Sequence, residues 1–391
     1  MLGLILRHLY SNKFLLLLIF VLNLRDFLEQ LHTYEFKRYP LEQIYSKSQI
    51  KQCEVIFESL EYDYQSSTHN IFSHLLAKTG SRRKTQIFRS KSGVNKIIAK
   101  SYPKSLEFIK LLNFPLNREL LKREFHLQAP SLDFQFCPHE SIQRFVNFFS
   151  TTSGYNETTV WLFMLTNAQL FLQPYLQKHG FPVPQTFGIC GFTAYQEHVG
   201  QTVEHFYPAD FQIKLRIVRQ LLEAALIFTN GFEGYRIYIT DLTSDNLVYN
   251  VERDKLYFVD LNTVYIVDAN STIDSDGVDH HDLIACDNCF AFVPDRLCTN
   301  GLSDLNVLES CLFIREDLKG DQTKGFLKPI PAEMEVKYPN LVQLLDECVE
   351  GATYKENSSV NNNNNIGNYN MSRFMAAIKL IELLTNISGE N

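Results

Sequence analysis

Three polar side chains near the middle of the chain have the types and spacing that phosphate chemistry requires. Asp241 and Asn246 are five residues apart in a polar stretch, and Asp260 follows a segment of alternating apolar residues around a turn at residues 251–254. That alternation predicts a tight β-hairpin. The two carboxylates and the amide would supply a base for a hydroxyl group and oxygen ligands for Mg²⁺, with the hairpin between them. We therefore interpret Asp241 as a base, and Asn246 and Asp260 as metal ligands.

The same three residues have a simpler interpretation. Asp and Asn are common turn formers, so a β-hairpin with polar loops would use them merely to cap its turns. The spacing by itself leaves both interpretations open.

Phosphoryl transfer also needs a cation on the phosphates, and Lys100 is the candidate. Two strands are predicted at residues 84–91 and 96–102, and the second, Lys-Ile-Ile-Ala-Lys, resembles the kinase strand whose lysine contacts nucleotide phosphates. The alternative is an ordinary solvated lysine. A glycine-rich phosphate loop should precede this strand, but residues 75–91 contain only Gly80. A helix predicted at residues 116–128 then offers two carboxylates, Glu119 and Glu124, either of which would pair with Lys100.

A family resemblance extends past these motifs. The matching stretches are residues 187–269, Ile189-Cys190-Gly191, Leu344-Leu345-Asp346-Glu347-Cys348, Arg123-Glu124-Phe125, Cys137-Pro138 and the final helix. They resemble the divergent protein kinase domain family, in its deleted-in-autism branch. The resemblance implies an α+β, two-lobed protein-kinase-like fold with a small β-rich N-lobe and a larger helical C-lobe. The resemblance also favours Glu124 as the partner of Lys100. The kinase-like spacing of the site residues gives ATP with Mg²⁺ or Mn²⁺ as the expected cofactors.

The chain departs from the usual kinase pattern at several points. Ile239-Thr240 stands in place of His-Arg, Leu261-Asn262 in place of Phe-Gly, and no Ala-Pro-Glu follows. These departures leave a second hypothesis open. A secreted pseudokinase would use the same scaffold as a signalling ligand, so the expected partner is either a protein substrate or a cell-surface receptor.

The predicted domain organisation has four parts. Residues 1–23 are a signal peptide or signal anchor, 24–70 a lead-in, 71–199 the N-lobe and hinge, and 200–391 the C-lobe. The C-lobe contains a cysteine-rich segment at residues 286–348, predicted to be helical and joined by disulfides, and an Asn-rich loop at residues 357–370. Further helices are predicted near residues 157–173 and at 212–229, the second capped by Asp210 and ended by Gly231. A final amphipathic helix is predicted with the apolar residues Phe374, Ile378, Ile381 and Leu384.

Composition and the N-terminal segment restrict the cellular compartment and the classes of partner that we expect. The net charge of −7 over 391 residues, without a basic face, argues against nucleic-acid binding. The apolar run at residues 14–22 predicts entry into the secretory pathway, in the endoplasmic reticulum or Golgi lumen or outside the cell, with membrane attachment only if that segment stays uncleaved. Eight cysteines behind such a segment predict disulfides, and the alternative for Cys286 and Cys289 is half of a zinc site. Five Asn-x-Ser/Thr sequons predict a glycoprotein.

Overall fold

The computed structural model describes residues 47–62, 84–90, 96–101, 116–129, 132–271, 278–279, 297–298, 301–317, 320–350 and 372–389. The chain divides into two compact units, one formed by residues 1–116 and 186–197 and the other by residues 117–185 and 198–391. The predicted signal segment, Cys286, Cys289 and the Asn-rich loop lie outside the described residues.

The first unit is built on an antiparallel sheet of five strands in the order β1-β2-β3-β6-β5. Its strands are β1 (Leu60–Tyr62), β2 (Lys84–Ser90), β3 (Lys96–Ser101), β5 (Thr186–Cys190) and β6 (Thr193–Glu197). The two strands predicted near residues 84–91 and 96–102 are confirmed as the neighbours β2 and β3.

One helix, α1 (Lys47–Ser59), packs against β5 in this unit. A disulfide joins Cys53 to Cys190, and the Gln52 side chain donates a hydrogen bond to the Phe187 carbonyl at 2.7 Å. Gly188 allows the close approach, because a Cβ atom there would lie 2.4 Å from Cδ1 of Ile56. The helix is therefore tied to the edge of the sheet by a covalent bond, a hydrogen bond and close packing.

The second unit is mainly helical. Its helices are α2 (Arg118–Gln128), α3 (Ile142–Thr152), α4 (Glu157–Thr166), α5 (Gln169–Lys178), α6 (Phe211–Asn230), α7 (Leu305–Arg315), α8 (Ala332–Lys337), α9 (Asn340–Glu350) and α10 (Ser372–Ser388). Helix α6 begins as predicted, because the Asp210 side chain accepts a hydrogen bond from Gln212 N at 2.8 Å. It ends at Gly231, whose φ of 70° suits glycine and where a Cβ atom would meet the Tyr235 carbonyl oxygen.

Three small sheets complete the second unit. Their strands are β4 (Phe134–Cys137), β7 (Gln201–Thr202), β8 (Tyr235–Ile239), β9 (Leu247–Asn250), β10 (Lys255–Phe258), β11 (Val264–Asp268), β12 (Val278–Asp279) and β13 (Leu302–Ser303). Strand β11 runs between β4 and β8, and β9 between β7 and β10. The predicted hairpin is confirmed, with Leu247 opposite Phe258 and Asn250 opposite Lys255.

Two further disulfides lie in the described part of the second unit. Cys137 bonds Cys298, and Cys311 in α7 bonds Cys348 in α9. Among the described residues no cysteine is free. The predicted α+β architecture, with a small sheet-rich unit and a larger helical unit joined internally by disulfides, is confirmed. No helix in the described part of the chain combines the length and apolar character needed to cross a membrane.

Two local predictions need correction. The single helix expected near residues 157–173 is two helices, α4 and α5, separated at Asn167, whose extended backbone ends the first of them. The apolar face expected for α10 included Ile378, but this residue is exposed. The buried positions of α10 are instead Arg373, Phe374, Ala376, Ala377, Leu380 and Leu384.

Candidate functional site

The loop that carries Asp241 is held at its start by two neighbouring segments. It follows β8, which pairs with β11 so that Ile239 lies opposite Val264. One residue further on, Thr240 N donates to the Thr263 carbonyl at 3.2 Å. The half-buried Asp241 comes next and is thereby placed near the chain that follows Asp260.

Asn246 connects the backbone at Asp241 with the backbone next to Asp260. Its side-chain amide donates to the Asp241 carbonyl at 3.0 Å, and its own backbone carbonyl accepts from Val259 N at 3.0 Å. Because Val259 is adjacent to Asp260, one residue bonds both the base candidate and the neighbour of the metal-ligand candidate. The side-chain donor is the Asn246 nitrogen, so its amide oxygen is not used by this contact.

Asp260 lies in the short segment between β10 and β11 and is only 8% exposed. Its Oδ1 accepts a hydrogen bond from Asn262 N at 3.2 Å. Asn262 itself is 5% exposed, and its Oδ1 has no hydrogen-bond partner among the described residues. A buried amide oxygen without a donor is costly, so this atom is suited to accept a bond from a ligand.

Helix α7 is hydrogen-bonded through Asn306 to the strand that precedes the Asp241 loop. The Asn306 amide oxygen accepts from Ile239 N at 3.0 Å, and its nitrogen donates to the Ile237 carbonyl at 2.7 Å and to Thr229 Oγ1 at 2.9 Å. One buried side chain thus joins the end of β8, the end of α6 and α7. This network fixes the strand from which the Asp241 loop begins.

A second polar residue of α7, Glu309, affects the electrostatics of the site. It is 3% exposed, and burial raises its pKa well above the usual range, with the charge of Asp241 raising it further. Burial therefore favours the neutral form of the Glu309 carboxyl group, which also lies within electrostatic reach of the base candidate.

The remaining predicted site residues are Lys100 and Glu124. Lys100 lies half-buried in β3, opposite Thr85 and Ala194, in the first unit. Glu124 lies in α2 of the second unit, where it contacts Arg123 at 3.6 Å and accepts from Gln128 at 3.3 Å. The two residues belong to different units, and the ion pair between Lys100 and Glu124 stays a prediction. The structure brings together Asp241, Asn246 and the segment of Asp260.

Sequence reasoning missed Asn262, Asn306 and Glu309. A signal was present for the last two, because they are polar residues three apart in the mainly apolar run Leu-Asn-Val-Leu-Glu-Ser-Cys-Leu-Phe-Ile at residues 305–314. Residues three apart share one face of a helix, so polar side chains with that spacing in an apolar helix indicate a buried polar network.

The elements around this site follow the order found in a protein-kinase domain. That order is a helix, a strand, a loop from Asp to Asn, a hairpin, a second Asp and another strand. Comparisons with known proteins agree. Residues 160–351 match the family model described as the protein-kinase domain of FAM69. Divergent protein kinase domain 2A from Xenopus tropicalis is 27% identical over 189 residues, which cover 46% of this chain and 44% of the relative. The human and mouse proteins of that name are 27% identical over 188 residues, with the same coverage.

Residues 160–351 of this chain are therefore similar to the kinase domain of a divergent protein-kinase family, and the resemblance predicted from sequence is confirmed. The match spans 44% of the length of these curated relatives. A solved structure of vaccinia related kinase 3 is also similar, at 12% identity and a TM-score of 0.31, over 78% of this chain and 84% of that one. The assignment rests on the family model and the curated relatives.

Proposed function

We propose that this protein is an ATP-dependent phosphotransferase that uses Mg²⁺ or Mn²⁺. The observation that carries the proposal is the position of Asn246, whose side chain bonds the Asp241 backbone and whose own backbone bonds Val259, next to Asp260. This arrangement gathers a base and two oxygen ligands at one place. The bond between Asn246 and Val259 continues the β9–β10 ladder, so the hairpin itself holds Asn246 beside the chain that leads into Asp260.

The residues present are suited to a divalent cation. Hard cations prefer carboxylate and amide oxygens, which Asp260 and Asn246 supply, and the unpartnered Oδ1 of Asn262 adds a further acceptor. Within the described ranges no cluster of three or more His, Cys, Asp or Glu side chains forms a metal site, so the proposed set depends on amides as well as carboxylates. When bound, the cation would neutralise charge on the phosphates. Lys100 is proposed to contact the nucleotide phosphates and Glu124 to orient Lys100.

The test of this proposal is turnover by the wild type and by Asp241→Asn. With Mg-ATP or Mn-ATP, the wild type should release ADP, and the variant should lose roughly 100-fold or more of kcat while keeping its nucleotide affinity, because a general base acts on the acceptor hydroxyl. Asp245→Asn is the matched control, since Asp245 is an exposed carboxylate in the same loop. Equal turnover by wild type and Asp241→Asn would exclude Asp241 as the base.

The alternative function is that of a pseudokinase acting as a secreted signalling ligand or binding module. It is favoured by the segment after Asp260, where the buried Asn262 replaces the usual glycine. Nucleotide binding without turnover, in the presence of either cation, would support this alternative. Its partner would then be a cell-surface receptor in place of a protein substrate.

We propose that the protein acts in the secretory pathway or outside the cell. The three disulfides support this location, because such bonds persist in oxidising compartments. The sequon at Asn156 is exposed, and its Oδ1 accepts from Thr159 N at 2.8 Å, which leaves Nδ2 for a glycan.

Expressed with its own N-terminus in animal cells, the protein should gain mobility on a gel after glycosidase treatment, and Asn156→Gln should reduce that change. A cytosolic chain with unchanged mobility would refute the location.

A further inference from the structure

Helix α5 carries two glutamine side chains that are almost completely buried, in a helix whose other buried residues are apolar or aromatic. Gln169 and Gln173 are each 1% exposed and lie four residues apart, so they share one face of the helix. A buried amide group is unfavourable unless its donors and its acceptor are paired. The partners of these two side chains therefore show what the helix holds in place.

The two amides form a continuous hydrogen-bonded connection to the chain just before Asp260. The Gln169 nitrogen donates to the Val259 carbonyl at 3.2 Å and also to the Gln173 side-chain oxygen. The Gln173 nitrogen donates to the Pro184 carbonyl at 3.1 Å. Both ends of this connection are backbone carbonyls, which can only accept, so the orientation of each amide is determined. Both N–H groups of Gln169 are used, one of them on the backbone next to the metal-ligand candidate.

The Val259 carbonyl belongs to the peptide group that leads into Asp260. Because a peptide group is planar, a hydrogen bond to this carbonyl also fixes the plane that contains Asp260 N. The two preceding peptide groups are held separately, since Val259 N donates to the Asn246 carbonyl at 3.0 Å and Phe258 N donates to the Pro182 carbonyl at 2.8 Å. Three consecutive peptide groups before Asp260 are therefore held in place, and α5 supplies the contact nearest to the carboxylate.

We propose that Gln169 is a positioning residue for Asp260, and that Gln173 supports it by fixing its amide. A ligand carboxylate binds a cation well only when contacts behind it hold it close to its productive geometry. A purely structural glutamine pair would stabilise the second unit without affecting the affinity of the site. The link to the cation rests on the proposed function, whereas the hydrogen bonds that hold the segment before Asp260 do not.

Gln169→Met tests the proposal, because methionine keeps a similar side-chain length but cannot donate to the Val259 carbonyl. This variant should bind Mg-ATP and Mn-ATP roughly 10- to 100-fold more weakly than the wild type in titration calorimetry. The matched control is Gln220→Met. Gln220 accepts from Leu256 N at 2.8 Å and donates to the Asp254 carbonyl at 3.0 Å, at the turn end of the same hairpin. Its loss should lower stability but leave nucleotide affinity unchanged.

Amide hydrogen exchange of the nucleotide-free full chain gives a second measurement, which needs no cofactor. Peptides that cover residues 258–262 should exchange faster in Gln169→Met than in the wild type, whereas Gln220→Met should leave their exchange unchanged. If Gln169→Met does not fold, its combination with Gln173→Met serves instead. The second change removes the side-chain acceptor that the first would leave buried without a donor.

Two results would overturn the proposal. One is exchange at residues 258–262 that is the same in Gln169→Met and the wild type. The other is equal affinity of these two proteins for Mg-ATP, measured where the wild type binds it. A wild type that binds no nucleotide would instead contradict the phosphotransferase proposal, and the exchange measurement would still decide whether Gln169 holds the segment before Asp260.

Discussion

Asp260→Ala is expected to reduce Mg-ATP affinity by roughly 100-fold or more, equivalent to about 3 kcal/mol of binding free energy. The proposed cation bridges the carboxylate and the phosphates, so loss of the carboxylate leaves the triphosphate charge uncompensated. Asp241→Ala should bind nearly as well as the wild type, because its carboxylate acts on the acceptor hydroxyl. Thermal shift and titration calorimetry with Mg-ATP and Mn-ATP would measure both effects.

Asp260→Asn is the sharper variant, because it separates charge from local structure. An asparagine keeps an oxygen that accepts the hydrogen bond from Asn262 N, which is 3.2 Å long in the wild type. It removes the negative charge that holds the cation. Asp245→Ala controls for loss of an exposed carboxylate from the neighbouring loop. If Asp260→Asn and the wild type show equal thermal shifts with the nucleotide, Asp260 is not a metal ligand.

Removal of either described disulfide in the second unit should lower the free energy of unfolding by several kcal/mol. In the chain-entropy description, the 161-residue separation of Cys137 and Cys298 corresponds to about 5 kcal/mol of unfolding free energy. The 37-residue separation of Cys311 and Cys348 corresponds to about 4 kcal/mol. Double alanine variants should therefore lower the unfolding midpoint in denaturant, with the greater effect at Cys137 and Cys298.

The wild type under reducing conditions is the control for this experiment. Reduction removes the cross-links but keeps the sulfur atoms in place, so most of the difference between wild type and each double variant should disappear. A difference that persists after reduction would show that packing, not the cross-link, stabilises the unit. Mass spectrometry that found these thiols free in secreted protein would contradict the pairing itself.

Much of the site and its immediate scaffold was predictable because its signals are local. Alternation about residues 251–254 predicted the hairpin, Asp210 predicted the start of α6, and Gly231 its end. Each of these depends on side-chain periodicity, a cap or a backbone conformation within a few residues. The order of Asp241, Asn246 and Asp260 likewise predicted a protein-kinase-like domain before any contact was known.

Cysteine pairing depended on contacts that no local pattern determines. Eight cysteines allow about 105 complete pairings, and the described bonds join residues 137, 161 and 37 positions apart. Helix α10 gives a second example. Its apolar residues were compatible with more than one buried face, and packing against α6 and α9 selected the one that leaves Ile378 exposed.

The sequence by itself determined the secondary structure around the site, the order of its three polar residues and the class of domain that they define. The tertiary structure alone decided that Asn306 bonds the strand before Asp241 and that Glu309 lies within reach of its charge. Both residues are more than 60 positions beyond Asp241 in the chain. Their roles arise from burial of α7, because burial removes water from polar groups and makes their partners and protonation depend on neighbours distant in sequence.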